Sequence, residues 1–238
     1  MDKAVILGVG PKNGLGAKLA QKFALNNLHV FISGRTQSSL TSVAEEIKLI
    51  GGKVTTVCCD ATKEKEIISL FNQIGQNLKL AIYNAGNNTP GRIIDMDADY
   101  FRESWEVLCY GGFVFGREAL KVLLKKKTGT IIYTGASASL RGKTNFGAFN
   151  SGKAALRILA QAMSKEYGPQ GIHIGHVIVD GAIGGEKIWK NHPDYAKKLG
   201  EEGLINLDGI VESYYYLYNQ PKEAWTFELD LRTSIEQW

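Results

Sequence analysis

A glycine-rich loop lies between an apolar run at residues 4–9 and a helical pattern at residues 15–26. In such a strand–loop–helix unit the glycines let the backbone approach a phosphate, and the N–H groups of the helix N-terminus bind the anion. The loop therefore predicts a site for the pyrophosphate of a dinucleotide, although glycines also end strands that bind nothing. The residues predicted to contact the cofactor here are Gly10, Lys12, Asn13, Gly14, Leu15 and Gly16.

The end of the second apolar run gives a hint about which dinucleotide binds. NAD-dependent proteins usually carry an acidic residue at this point, where it binds the adenosine ribose. This chain reads Ser33-Gly34-Arg35 and has no acid there. A guanidinium suits a 2′-phosphate, and Lys12 is close by in the glycine loop. The pattern favours NADP(H) over NAD(H), with a solvated loop arginine as the alternative reading of Arg35.

The elements that would position these residues alternate between apolar strands and amphipathic helices. Alternation of this kind requires right-handed crossovers and gives a mostly parallel sheet covered on both faces. The prediction is an α/β fold: a Rossmann-type doubly wound parallel sheet of about seven strands, in one domain over residues 1–238. A lid is expected at about residues 180–204. Strands are predicted at 4–9, 28–33, 53–59, 78–83, 130–134, 172–179 and 226–231, and helices at 15–26, 36–50, 63–75 (capped by Thr62), 97–125, 145–167 and 206–219.

Composition narrows the class of protein. Apolar residues make up 44% and charged residues 22% of the 238-residue chain, which is ordinary for a soluble globular protein. A net charge of +4 is too weak to indicate nucleic acid or an acidic membrane as a partner. Three cysteines, Cys58, Cys59 and Cys109, form neither a disulfide framework nor a metal-binding spacing, so a reduced, cytoplasmic setting is expected. The chain has no run of ~18 apolar residues and no signal-peptide pattern, so no membrane span is expected.

Four motifs in order resemble the short-chain dehydrogenase/reductase family. They are the glycine loop, Asp60 after strand three, Asn84-Ala85-Gly86 after strand four, and Lys153 in the helix after strand five. The resemblance covers nearly the whole chain. It implies that Asp60 and Ala61 border the adenine and that Lys153 binds the nicotinamide ribose. It further implies a small-molecule substrate and a homodimer or homotetramer. The remaining cofactor contacts that it implies are Asn84, Ala85, Gly86, Gly181 and Ile183.

The departures from the family pattern fall on the chemistry. The family's active-site tyrosine, four residues before the lysine, is Phe149 here, and its serine is Ala136. Its helix asparagine falls on Cys109. Hydride transfer to a carbonyl makes an alkoxide that needs a proton, and Phe149 has none to give. Losing a general acid typically costs about 10²–10⁴ in rate, and losing an oxyanion donor about 10²–10³. Other departures are Tyr83, Asp180 and Gly185, and Gly8 or Val9 at the family's first threonine.

Neighbouring side chains are candidates to replace the missing hydroxyls. Ser137 and Ser139 lie close to Ala136 in sequence, and Cys109 is either a pocket thiol or a small buried hydrophobe. Three functions stay open: an NADP(H)-dependent oxidoreductase with a rearranged site, a dinucleotide-binding sensor or assembly subunit without turnover, and a structural relative that binds nothing tightly. The candidate catalytic positions are Lys153, Phe149, Ala136, Cys109 and Ser137, with Tyr110, Tyr133, Tyr195 and His192 as weaker candidates.

Overall fold

A parallel sheet with helices on both faces forms the body of the molecule. The computed structural model describes residues 1–236. Within that range seven parallel strands pair in the order β3-β2-β1-β4-β5-β6-β9, which confirms the predicted Rossmann-type fold. The strand order reverses between β1 and β4, so their carboxyl ends flank the crevice in which such sheets bind ligands. The strands are β1 (Lys3–Leu7), β2 (His29–Gly34), β3 (Val54–Cys58), β4 (Leu78–Tyr83), β5 (Gly129–Thr134), β6 (Ile172–Asp180) and β9 (Glu228–Arg232), with a separate pair β7 (Ala182–Ile183) and β8 (Leu204–Ile205).

The helices follow the predicted alternation with two differences. The helix predicted at 97–125 is interrupted by a π-helical segment, Glu106–Tyr110. Thr62 does not cap the next helix as predicted, because Lys63 occupies the N-cap position and Thr62 bonds to Asp60 instead. The helices are α1 (Leu15–Leu25), α2 (Gln37–Leu49), α3 (Glu64–Ile74), α4 (Ala98–Trp105), α5 (Gly111–Leu123), α6 (Gly147–Tyr167), α7 (Glu186–Asn191), α8 (Pro193–Leu199) and α9 (Leu207–Tyr218).

The core lies on both faces of the sheet, because successive strand residues point to opposite sides. In β1, Ala4 and Ile6 pack in a cluster with α1, α2 and α9, whereas Val5 and Leu7 pack with α3, α5 and α6. All four side chains are at most 1% exposed. Strands buried on both faces read as continuous apolar runs, which is why the strand positions are recognisable in the sequence.

The segments that follow β6 fold back over the carboxyl ends of the strands. The predicted lid at about 180–204 contains the β7–β8 pair, α7 and α8. The last strand, β9, lies beside β6 at the edge of the sheet. The sequence also has an apolar tail around Trp225, Phe227 and Trp238 that is compatible with an oligomer, and Trp238 lies outside the described residues. Among the residues that are described, no helix has both the length and the apolarity to cross a membrane.

Candidate functional site

The glycine loop and the turn after β4 lie back to back at the carboxyl edge of the sheet. Gly8 has a φ of +106°, and a Cβ atom there would lie 2.4 Å from the amide nitrogen of Ala85. The Asn84 side chain donates from Nδ2 to the Gly8 carbonyl at 3.0 Å. Only glycine fits this position, since any side chain would overlap the backbone of the neighbouring turn. The structure therefore brings two of the predicted cofactor motifs together.

The start of α1 is suited to an anion. Its N-cap residue, Gly14, has no side chain to bond the free N–H groups, and the first turn contains no acidic residue. A Cβ atom at Gly16 would lie 2.7 Å from the Gly8 carbonyl oxygen, so helix and strand approach closely. A Cβ atom at Gly10 would meet only the end of the Lys187 side chain within 4 Å among described residues. The open space over Gly10, beside unpaired N–H groups, fits the phosphates of a dinucleotide.

The residues predicted around the adenosine lie along the ends of β2 and β3. Arg35 is exposed just beyond β2. Lys12 reaches Glu46 in an ion pair of 3.3 Å. Asp60 Oδ1 accepts hydrogen bonds of 2.9 Å from both the amide and the hydroxyl of Thr62, and so fixes the turn after β3. Ala61 beside it is buried.

Lys153 is a buried lysine at the centre of the site. Its Nζ donates to the Thr134 carbonyl at 2.6 Å, and the residue is 5% exposed. A Cβ atom at Gly86 would lie 3.9 Å from the same Nζ. Burial lowers the pKa of Lys153 from 10.5 to about 8, because a charged amine loses its hydration there. The amine therefore changes protonation near neutral pH.

A hydrogen-bonded chain links Lys153 to the glycine loop. The Thr134 hydroxyl donates to Asn84 Oδ1 at 3.0 Å, and the same Asn84 bonds to Gly8 through its other side-chain atom. Because the Thr134 proton is used in this way, the contact of 2.7 Å to Tyr214 has the tyrosine hydroxyl as donor. The sequence predicts Tyr214 only as a core or interface residue and Thr134 only as the end of a strand, because no motif marks either as part of this network.

The two positions that should carry reactive hydroxyls are apolar, and their surroundings supply one candidate hydroxyl. The centroid of the Phe149 ring lies 5.9 Å from Lys153 Nζ. Next to Ala136, the buried Ser139 is held by the Ala136 amide, which donates to its Oγ at 3.3 Å. Ser137 is half-buried, and among the described residues its hydroxyl makes no hydrogen bond. Ser137 therefore remains a candidate for the missing hydroxyl.

Cys109 and the weaker candidates lie in other settings. Cys109 is half-buried in the π-helical segment, where burial raises the pKa of its thiol and leaves it a poor nucleophile. Tyr133 is fully buried in the core and donates to the Gly112 carbonyl at 3.1 Å, so it does not face the site. Tyr110 donates to Glu64 at 3.2 Å. Tyr195 is 50% exposed in α8, and His192 is exposed just before it.

Asp180 anchors the loop between β5 and α6. It stands where the family has proline, is 2% exposed, and accepts hydrogen bonds of 3.0 and 3.2 Å from Arg141. Arg232 at the end of β9 lies 3.5 Å from the same carboxylate. Asn150 bonds the loop from the other side, donating to the Arg141 carbonyl at 2.6 Å. These contacts fix the segment that contains Ala136 and Ser137.

The lid rests on the glycine loop. The Glu186 amide donates to the Asn13 carbonyl at 2.7 Å. Gly181 has a φ of +150° and lies against Ile205. Ile183 pairs with Ile205 in the β7–β8 ladder and packs on the core. Gly181 and Ile183 therefore hold the lid in place, at the edge of the crevice.

A cleft of about 490 Å³ opens beside the start of α6. Its walls combine the apolar side chains of Ile93 and Ile94, which are 77% and 80% exposed, with the cations Arg92 and Lys143. Asn150, the neighbour of Phe149 in the chain, also lines it. The cleft is a candidate entry for a small organic substrate. Within residues 1–236, no group of three or more His, Cys, Asp or Glu is arranged to hold a metal ion.

Comparison with known proteins identifies the family to which this fold belongs. A family model described as short chain dehydrogenase matches residues 4–186. A 3-oxoacyl-(acyl-carrier-protein) reductase from Bos taurus is 25% identical over 207 residues, covering 86% of this chain and 82% of the relative. A short-chain dehydrogenase from Rhodopseudomonas palustris superposes with a TM-score of 0.83 and 33% identity, over 97% of this chain and 98% of that one. An alcohol dehydrogenase from the archaeon Thermococcus sibiricus, complexed with 5-hydroxy-NADP, has a TM-score of 0.86 at 21% identity and covers 100% and 99% of the two chains, a likeness of fold alone.

Proposed function

The chain belongs to the short-chain dehydrogenase family and is an oxidoreductase of that family, and on this premise we propose that it uses NADP(H), in preference to NAD(H), on a small carbonyl compound or alcohol. The site it uses is not the family's usual one, because Phe149 and Ala136 replace the reactive hydroxyls. The observation that carries the proposal is Lys153. Its amine is buried beside the Asn84–Gly86 turn and donates to the Thr134 carbonyl at 2.6 Å. Burying an amine costs free energy of folding, and groups buried at such a cost are concentrated at functional sites.

The residues around the crevice fit a nicotinamide dinucleotide. The glycine loop and the start of α1 would hold its pyrophosphate, Arg35 its 2′-phosphate, and Lys153 its nicotinamide ribose. When bound, such a cofactor supplies or accepts a hydride at the substrate carbon. The preference for the phosphorylated form rests on the exposed Arg35 and on the lack of an acid at the end of β2.

The proton that must reach the carbonyl oxygen comes from Lys153. Its ammonium has a pKa of about 8, close to the pH at which a general acid works best. A bound cofactor would supply the hydride to the carbonyl carbon, and Lys153 would give the carbonyl oxygen its proton through one water molecule. The Ser137 hydroxyl, which is free and half-buried, polarises the carbonyl in place of the missing serine. Because Phe149 stands where the family has a tyrosine hydroxyl, we expect the reaction to be slow by the standards of the family.

The cleft beside α6 suggests the kind of substrate. Exposed isoleucines next to Lys143 favour a short apolar chain that carries a carbonyl and a polar end, whereas Arg92 is already paired with Asp95 at 3.5 Å. The bovine relative is named as a reductase of 3-oxoacyl groups, whose keto carbonyl falls within this class. Keto acids and keto esters of short chain length are therefore the first compounds to try.

Surface features support the proposed assembly and setting. Phe101, Trp105 and Phe113 on α4 and α5 are 43%, 41% and 41% exposed, an apolar surface that a homodimer or homotetramer would cover. Light scattering on the purified protein would give the mass that tests this.

The three cysteines are unpaired, which favours a reducing, cytoplasmic location.

The experiment has two stages. NADPH is first titrated into the protein while its fluorescence is followed. Its consumption is then measured by absorbance across a panel of aldehydes, ketones, keto acids and keto esters, with Lys153→Met as a control variant. We expect wild-type protein to bind NADPH and consume it with at least one class, and K153M to lose consumption while keeping its circular dichroism spectrum. Binding without consumption would leave a dinucleotide sensor or assembly subunit, and no binding would leave a structural relative.

A further inference from the structure

The first turn of α7 in the lid is docked on the glycine loop. The Glu186 amide donates to Asn13 at 2.7 Å, and a Cβ atom at Gly185 would lie only 2.8 Å from the same carbonyl oxygen. The close approach leaves no room for a larger residue at 185. The position of the next lid residue is thereby set relative to the loop.

That next residue is Lys187, and its side chain extends over Gly10. The Cε and Nζ atoms lie 3.6 and 3.9 Å from where a Cβ atom on Gly10 would stand. Across residues 1–236, Lys187 takes part in no ion pair and no side-chain hydrogen bond, whereas Lys12 in the loop itself is paired with Glu46 at 3.3 Å. An ammonium that has no counterion among the described residues therefore lies beside Gly10 in the glycine loop.

We propose that Lys187 is a lid-borne ligand of the cofactor's pyrophosphate, so that dinucleotide binding and lid closure are coupled. This rests on the proposed function, since it needs a dinucleotide on the glycine loop. An anion seated at Gly10 meets N–H groups from α1 on one side and the Lys187 ammonium on the other. Removing the anion leaves the cation with no partner. The lid is then held by the Glu186–Asn13 bond and the β7–β8 contacts.

The pyrophosphate is common to NADPH and NADH, which separates Lys187 from Arg35. The test is to measure dissociation constants of both nucleotides by fluorescence, at low and high salt, for wild type, Lys187→Gln, Lys187→Arg and the control Lys190→Gln. Lys190 lies on the same short helix and is exposed, and among residues 1–236 no hydrogen bond or ion pair joins its side chain to the loop. We expect K187Q to weaken both nucleotides about tenfold, the size of one charge-assisted contact, and to reduce the salt dependence. K187R should stay within about twofold of wild type, and so should K190Q.

Hydrogen exchange adds a readout independent of affinity. With saturating NADPH, exchange of the Glu186 amide should slow in wild type and in K190Q, but much less in K187Q. The inference is overturned if K187Q binds both nucleotides like wild type, or if it weakens NADPH alone, which would place the lysine on the 2′-phosphate. If wild-type protein binds neither nucleotide, the proposed function fails together with this inference. If wild type binds both nucleotides and K187Q binds them equally well, the inference about Lys187 fails and the proposed function stands.

Discussion

The Tyr83 hydroxyl donates a hydrogen bond of 2.6 Å to the Val107 carbonyl, and so joins the end of β4 to the π-helical segment. In that segment the Gly111 amide bonds to Glu106, one residue further back than in an α-helix. A Cβ atom at Gly111 would lie 2.4 Å from the Tyr83 hydroxyl, so glycine makes room for the phenol. The family has an asparagine where this chain has Tyr83. The larger side chain of Tyr83 therefore packs directly against the π-helical segment.

Replacing Tyr83 with phenylalanine should destabilise the fold by about 1 kcal/mol, because the half-buried Val107 carbonyl loses this hydrogen bond. Urea denaturation followed by fluorescence measures the free energy of unfolding. Tyr215→Phe serves as control, since within the described chain the Tyr215 hydroxyl has no hydrogen-bond partner. An equal loss in both variants would show that the bond to Val107 contributes nothing specific.

Restoring the family hydroxyls should raise activity. The double change Ala136→Ser, Phe149→Tyr places a phenol next to Lys153 and is expected to increase kcat on simple ketones by about 10² or more. Steady-state rates with NADPH measure the gain. Adding Lys153→Met should abolish it, and Phe146→Tyr, a new hydroxyl on the same segment, should not reproduce it. An unchanged rate would mean that the pocket is rebuilt for another substrate.

The buried Lys153 makes stability depend on pH in a defined direction. Its pKa is about 8 in the folded protein and 10.5 when hydrated, so between these values the unfolded chain binds more protons. The free energy of unfolding should therefore rise with pH across this window and lose that gain as pH falls through 8. The free energy of unfolding of wild type, minus that of K153M, should increase by on the order of 2 kcal/mol between pH 7.5 and 10.5 in urea titrations. A constant difference would contradict a buried, desolvated amine.

Arg35 should determine the choice of nucleotide. Changing it to glutamine removes a guanidinium that suits a 2′-phosphate, so NADPH binding should weaken about tenfold while NADH binding changes little. Fluorescence titrations of the two nucleotides provide the comparison. Lys48→Gln, which removes an exposed cation at the far end of α2, controls for net charge. Equal weakening of both nucleotides would mean that Arg35 makes no contact with the 2′-phosphate.

The fold and the relative positions of the cofactor motifs are predictable because they depend on local pattern. Apolar runs fix the strands, and strand ends in a doubly wound sheet meet at one edge, which is why Gly8 and Asn84 lie together. The break in the helix predicted at 97–125 lies where Tyr83, which is distant in sequence, bonds to Val107, and no local propensity reveals it. The roles of the site residues stay predictions.

Contacts made by charged side chains across the fold are the part that sequence reasoning misses. Asp180 is held by Arg141 and Arg232, which come from two other segments. Lys187 is one of several lysines in the lid. Its position over Gly10, next to the bond between Glu186 and Asn13, distinguishes it from Lys190. Composition and spacing carry no signal for such pairs, because each exposed lysine or arginine looks equally solvated.

The Glu186–Asn13 bond joins parts of the chain that leave the ribosome far apart in time. The glycine loop can fold with β1 and β2 early, whereas the lid and β9 are synthesised later. Pairing β1 with β4 and β6 with β9 closes long loops, and their entropy makes these steps slow. We therefore expect the crevice to stand open in nascent chains. The later synthesis of the lid and β9 then covers the glycine loop and completes the sheet.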